Sequence, residues 1–468
     1  MTELLEMFSG VIWGIPTILL ILSVGLFFSF KSGFFQITHL TEAFRSFLRM
    51  LKPSKNEYAG VSPYQALCTA LAATVGTGNI VGVAGAITLG GPGSIFWMWI
   101  CAAFGMILKC AEAVLAVRFR RRNEAGEWIG GPMYMIEFGM GSRWKWLAGL
   151  YAFFGVVAAF GVGNATQINA VLGGIHSAAD VFGISIGRTA DYAIAAILAV
   201  LVALMLSGGA KRIGKVAEQM VPLASLAYII LGVGVLIARW NHVPGALQTI
   251  VVSAFSPEAV TGGMVGSFFL ACRTGASRGI FTNEAGMGTA SIAHAAADVK
   301  HPVQQGLLGI MEVFLDTIVI CTVTALVILC SGISVPYGYD AGATLTSDAF
   351  SAVYGGWVTV LIALSLLCFA LATVLGWGYY GLRCAQYLFG DNISAAFMIM
   401  QVLTVILGAV LKTNIVWLLA EIVNGLMVIP NLIALIGLSP EFFKLLSEYK
   451  TLKYYGENYE NFNQCKSL

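Results

Sequence analysis

Charge is what this sequence has least of. Asp, Glu, Lys and Arg supply 11% of its 468 residues, against about 25% in a soluble domain. A water-facing surface of the required size cannot be assembled from that supply. Hydrophobic residues fill 58% of the positions, and mean hydropathy reaches +0.82. A polytopic membrane protein follows. The net charge of +2 offers no basic face to a nucleic-acid partner. Histidine is scarce too: His39, His176, His242, His294 and His301 are scattered, and no metal site follows from them. Nine cysteines make no C-x-x-C pair. Eight of them (Cys68, Cys101, Cys110, Cys272, Cys321, Cys330, Cys368 and Cys384) lie within apolar runs, where they read as small buried residues rather than ligands or disulfides. No G-x-x-x-x-G-K-[ST] element is present, so ATP does not drive this protein. With no H-E-x-x-H and no other paired catalytic constellation, an enzyme is not expected.

What the sequence does have is long apolar stretches. Segments 12–30, 192–206 and 313–329 run on without the alternation of about ten residues that marks barrel strands, so the spans are helical. Eleven are expected, near 8–30, 62–90, 94–118, 142–175, 188–206, 215–238, 262–291, 304–331, 352–380, 393–411 and 414–437. Two Glu and no Lys or Arg precede the first run, unlike a cleavable signal, so that run is expected to stay as a helix. With the N-terminus outside, 21 of the 26 Lys and Arg fall on the inner face. Only Arg188, Arg239 and Lys412 fall outside, and Lys109 and Arg273 sit within spans. That asymmetry matches the positive-inside rule and sets the N-terminus out and the C-terminus in.

Spans two and seven differ from the rest. Residues 69–91 carry Gly76, Gly78, Gly82, Gly85 and Gly90, and residues 262–288 carry Arg273, Thr274 and Gly275 in mid-run. Setting the first helix aside leaves ten spans, each half of five opening on a Gly-interrupted helix. A repeat of five, read in sequence, is inverted across the membrane, and paired interruptions point to a secondary transporter's site. The expected organisation is an N-terminal helix with a basic linker (1–60), a first five-helix repeat (61–240), a second (241–440) and a cytoplasmic tail (441–468).

An unwound helix in a bilayer exposes N–H groups on one side and C=O groups on the other. The first suit a carboxylate and the second an ammonium or sodium ion, so one break suits both poles of an amino acid. At Val75-Gly76-Thr77-Gly78-Asn79 the amides of Thr77 and Gly78 are expected to face a carboxylate. Carbonyls near Ala72 and Val75 would face a cation, with the hydroxyl of Thr373 as a further ligand. Gln167 is an amide at membrane depth, and Phe268, Phe269 and Trp377 are candidate cavity walls. Charges within spans demand partners. Glu312 and Asp316 share a helix face, and Arg273 or a bound cation is expected to neutralise one of them. Lys109 and Glu112, three apart, are expected to satisfy each other or to snorkel, and Glu284 to cap a helix or pair with Arg278.

The motifs V-G-T-G-N-I (75–80), G-N-x-T-Q-x-N (163–169) and R-G-I-F-T-N-E-A-G-M-G (278–288) resemble those of the alanine or glycine:cation symporter family. So do Asp316-Thr317, G-W-x-Y-Y-G (376–381) and C-A-Q-Y-L-F-G (384–390), in register from about residue 60 to 430. The resemblance implies a leucine-transporter-type fold of five plus five helices with one appended. It also implies import of alanine and glycine with co-transported sodium or sometimes a proton. By position, the substrate would meet Thr77, Gly78, Asn79, Gln167, Phe268, Phe269, Cys272, Thr373 and Trp377, and sodium would meet Ala72, Val75 and Thr373. Two departures stand out: Thr282 replaces a common Ser, and Ala372 stands where a second hydroxyl beside Thr373 is common, which bears on the coupling ion. The partners implied are a small amino acid and the lipid bilayer of the cell's inner membrane; no obligate protein partner is evident. A channel, an intramembrane enzyme and a transporter-derived sensor are the competing classes.

Overall fold

The computed structural model describes residues 2–51, 60–255, 268–338, 342–410 and 413–466. Chains of this hydropathy must satisfy backbone polar groups within each segment once water is excluded, and helices do so. Among the described residues nine helices are long and apolar enough to cross a membrane.

The first of the nine includes α1 (Ile15–Ser32). The chain then turns into α2 (Pro63–Thr74) and α3 (Val81–Gly90), and α4 (Gly93–Phe119) follows. A two-stranded hairpin, β1 (Arg121–Arg122) and β2 (Trp128–Ile129), leads toward α5 (Lys145–Phe160). That helix passes through a wide π turn at Gly161–Ala165 into α6 (Thr166–Val181). Next come α7 (Arg188–Leu206), α8 (Gly209–Ala238) and α9 (Val243–Phe255). The second half opens with α10 (Phe268–Asn283) and α11 (Ser291–Ala295). A continuous rod follows: α12 (Pro302–Val313), a π turn over Phe314–Cys321 and α13 (Thr322–Cys330). The chain ends with α14 (Gly342–Tyr354), α15 (Val358–Phe389), α16 (Ser394–Val410) and α17 (Thr413–Lys466).

Spans two and seven are absent from the nine: span two is not one helix, and of span seven residues 262–267 lie outside the described residues while the helix that follows ends at Asn283. Twelve residues of α2 rise about 18 Å, well short of a hydrocarbon core of about 30 Å. The start of α2 is fixed locally: Ser62 and Gln65 cap each other's backbone amides at 3.1 and 3.2 Å, with Pro63 in the first turn. Its end is the expected Val75-Gly76 break.

The second interruption is not where the sequence placed it. α10 runs unbroken through Arg273, Thr274 and Gly275. Gly275 serves close packing instead: a Cβ there would stand 2.3 Å from the Ser94 carbonyl of α4. The chain breaks later, between Asn283 and Ser291, where Glu284, Gly286 and Gly288 take φ of 54°, 87° and 80°. The segment from 441, expected as a separate tail, continues α17. Tyr449 and Lys453 bond Glu42 at 2.9 Å each.

Candidate functional site

Helix α2 stops because Val75 and Gly76 are extended, with ψ of 90° and −156°. A single 3-10 turn over Thr77–Asn79 then leads into α3. Ends of this kind leave carbonyls behind and amides ahead without intrahelical partners. Asn79 closes the turn: its Oδ1 accepts from the Gly76 amide at 2.9 Å. Its Nδ2 donates to the Asp316 carboxylate at 2.6 Å and to the Asp316 carbonyl at 3.2 Å. Thr317 donates to the other Asp316 oxygen at 2.8 Å and accepts from Asn283 at 3.1 Å. Asp316 thus joins the first break to the end of α10 through neutral donors. It is fully buried, and among the described residues no Lys or Arg pairs with it.

Across the break stand α6 and α15. Thr77 donates to Gln167 Oε1 at 3.0 Å, and Gln167 donates onward to the Val162 carbonyl in the π turn at 3.0 Å. That wide turn opens beside Trp377, which packs so close to Gly163 that a Cβ there would lie 2.1 Å from Trp377 Cβ. Thr373 reaches Gly76: a Cβ on that glycine would stand 2.5 Å from its hydroxyl. The Thr373 hydroxyl is buried and has no hydrogen-bond partner among the described residues. Ala72 and Val75 are buried in the last turn of α2 and just beyond it, on the side where carbonyls emerge.

Of the residues singled out by sequence, Ala72, Val75, Thr77, Gly78, Asn79, Gln167, Thr373, Trp377 and Asp316 gather around this break. Phe268, Phe269, Cys272 and Arg273 do not. They sit toward the far end of α10, about 14–21 Å along the axis from Thr282. Phe268 stacks edge-on against Trp97 at 5.4 Å, Phe269 is 66% exposed, and Arg273 is exposed beside Gly10. The side chains of α10 that do meet Gly78 are Thr282 and Phe281, at 2.8 and 3.5 Å from where its Cβ would be.

The sodium:alanine symporter family model matches residues 1–464. A transporter of Haemophilus influenzae with no assigned activity is 43% identical over 96% of both chains. The sodium/alanine symporter AgcS of Methanococcus maripaludis is 41% identical over 93% of this chain and 94% of its own. A probable sodium/glutamine symporter of Bacillus subtilis, GlnT, is 37% identical over 98% and 93%. This chain belongs to the sodium:alanine symporter family. Similarity to solved structures is looser, as with the nucleobase–cation symport transporter MHP1 (TM-score 0.48, 14% identity, 83% of this chain and 78% of that one), so the assignment stands on the sequence relatives.

In this family member the second break is surrounded by charges whose partners the sequence misjudged. Lys109 pairs with Glu312 of α12 at 3.2 Å, both fully buried, and not with Glu112. Nor does Arg273 reach Glu312 or Asp316. The second Glu312 oxygen meets His294 Nε2 at 2.9 Å, while Gln305 donates to His294 Nδ1 at 2.7 Å. Glu112 instead accepts from the Gly286 amide and from Asn431, each at 2.8 Å, and Asn431 also donates to the Gly286 carbonyl at 2.9 Å. Glu284 accepts from Thr289, and Arg278 pairs with Glu421 at 3.2 Å. Phe281, Thr282, Asn283 and Thr317 also stand beside the first break or its Asp316 link although the sequence does not name them as contacts; they lie in the quoted motifs, but the expected interruption falls about ten residues too early.

Proposed function

We propose that this protein is a secondary active symporter that imports small neutral amino acids, alanine and glycine, with sodium, by alternating access. The observation that carries the reading is the first break itself. Helix ends of both polarities meet there, beside a buried Thr373 hydroxyl that has no partner among the described residues. The substrate carboxylate would take the amides of Thr77 and Gly78. Gln167, Phe281 and Trp377 would bound the rest of the molecule. Carbonyls of Ala72 and Val75 with the Thr373 hydroxyl would hold sodium. Asp316, tied to the break through Asn79, would respond to that ion. Two substrate charges would otherwise cost several kcal/mol at membrane depth; the helix ends offset that cost.

The accompanying architecture is eleven spans, the nine long helices plus two broken ones, arranged as one appended helix (1–60) and two inverted repeats (61–240 and 241–440). The N-terminus lies outside, the C-terminus lies in the cytoplasm, and the protein resides in the cell's inner membrane without an obligate partner. A proton-coupled variant of the same reading is favoured by one feature: Asp316 is buried among neutral donors while Ala372 offers no second hydroxyl beside Thr373.

Radiolabelled alanine uptake into proteoliposomes separates these readings. Sodium-driven accumulation is expected, with none in choline, and competition by glycine. Thr373→Ala should raise the sodium half-saturation concentration about tenfold, the loss of roughly one ligand, while Thr373→Ser stays near the parent. Accumulation on a proton gradient alone would move the coupling to the proton. Binding without accumulation would leave a sensor.

A further inference from the structure

A cavity of about 310 Å³ lies between the β1–β2 hairpin and α15. Glu127 and Trp128 of the hairpin, Lys211 of α8, Asp298 past α11, and Tyr379 and Arg383 of α15 line it. A second, much smaller cavity shares Val61, Ala296 and Tyr379 with the first and reaches Ala66 and Thr69 of α2. At about 10 Å³ it has room for one water at most. Thr69 is one helical turn before Ala72, and Tyr379 is less than two turns beyond Thr373. The two cavities therefore run in line from the hairpin toward the first break, and they narrow to a constriction between α2, α11 and α15.

The walls belong to two groups. On one side, a parallel bridge joins Val61 to Ala297, with the Asp298 amide donating to the Val61 carbonyl at 2.9 Å. Arg120, at the hairpin base, donates to the carbonyls of Ala295 and Ala297. Gly130 packs on Ala295 so closely that a Cβ would lie 2.5 Å from the alanine methyl. The hairpin base, the start of α2 and the end of α11 are thus one piece. The hairpin is stiff, with Trp128 lying 4.1 and 4.4 Å from the guanidinium groups of Arg120 and Arg122. On the other side is α15. Glu127 crosses to it from the hairpin tip and meets Arg383 at 2.8 Å. Arg383 is held in place: its side chain is 8% exposed, donates to Gln386 at 3.0 Å and lies over the Tyr379 ring. Glu127 is 46% exposed.

We propose that these cavities are the cytoplasmic release path of the transporter and that the Glu127–Arg383 pair closes its mouth, with both acting as positioning residues for release. The assignment rests on the symport reading. A pair joining the α2/α11 group to α15 breaks when the two groups separate, and that same separation widens the constriction below it. Substrate leaving the first break then passes between Thr69 and Tyr379 and out beneath the hairpin.

Ala296 sits where the cavities meet, and Ala296→Cys gives a reporter. In sealed vesicles of both orientations, an impermeant maleimide should label it, over the parent protein, only from the cytoplasmic side. Glu127→Gln should raise that labelling rate roughly tenfold, the effect of losing one charge-assisted hydrogen bond. Arg383→Gln should do the same, and the double exchange Glu127→Arg with Arg383→Glu should return the rate toward the parent. Labelling from the outer face only, no labelling in any variant, or a rate indifferent to Glu127→Gln would overturn the gate. Because labelling needs no substrate, such a result beside intact sodium-driven uptake would leave the transport reading standing.

Discussion

Around the first break the polar side chains are Thr77, Asn79 and Gln167 with a single acid, Asp316, held by neutral donors, whereas the second is ringed by Lys109, Glu112, Glu284 and Glu312. Both breaks free backbone groups at a depth where no water satisfies them. Around 284–290 the protein supplies the partners itself: Glu112 takes the Gly286 amide, Asn431 the Gly286 carbonyl, and Tyr151 donates to the Met287 carbonyl at 3.0 Å. Around Val75–Gly78 the Thr373 hydroxyl is left over, and at the second break one oxygen each of Glu112 and Asn431 is left over too. What sets the second break apart is that its freed backbone groups are met by side chains from other helices, which makes it a joint in the scaffold.

The sharpest way to break this contrast is to attack the joint. Lys109→Met leaves Glu312 without its cation, and Glu312→Gln leaves Lys109 without its anion. Each should cost about 3–5 kcal/mol, as for other buried pairs deprived of one member. The readout is the folded fraction by size exclusion after detergent extraction. Each single variant should lose most of it, and the double variant should regain most. Next in size, Asn79→Ala should lower alanine uptake ten- to a hundredfold, the loss of a hydrogen bond to a charged group, with folded yield within about twofold of the parent. Should yield fall in step with uptake, the first break would be as structural as the second. Smallest is the effect on selectivity. Phe281→Ala should cut the preference for alanine over a larger neutral amino acid by something on the order of tenfold, measured as a ratio of uptake rates. Phe269→Ala, on the exposed end of the same helix, should leave that ratio unchanged.

The first break was legible because its signal is chemical: glycines beside Thr and Asn in an otherwise apolar run have few structural uses. The second was not, because two signals misled. Gly275 looks like an interruption, yet its missing side chain admits the Ser94 backbone of α4. Arg273 looks like a buried charge, yet it lies on an exposed face. The true break depends on Glu284 taking a left-handed conformation, which its residue type does not announce. Tertiary pairing was illegible for the same reason. Lys109 and Glu112 are neighbours on one helix face, but each is closer to a group brought in from elsewhere, Glu312 or Gly286 with Asn431.

The buried Lys109–Glu312 pair also imposes an order on synthesis. Roughly two hundred residues separate the two, which at ribosomal rates of about 5–20 residues per second is an interval of about 10–40 s. During that time α4 has entered the bilayer with a lysine whose final partner does not yet exist. Glu112, one turn further along the same helix, is the only carboxylate in α4, and until Asn431 is made it has not received its own full set of donors. The i,i+3 pair read from the sequence is not a feature of the finished molecule, where Lys109 meets Glu312.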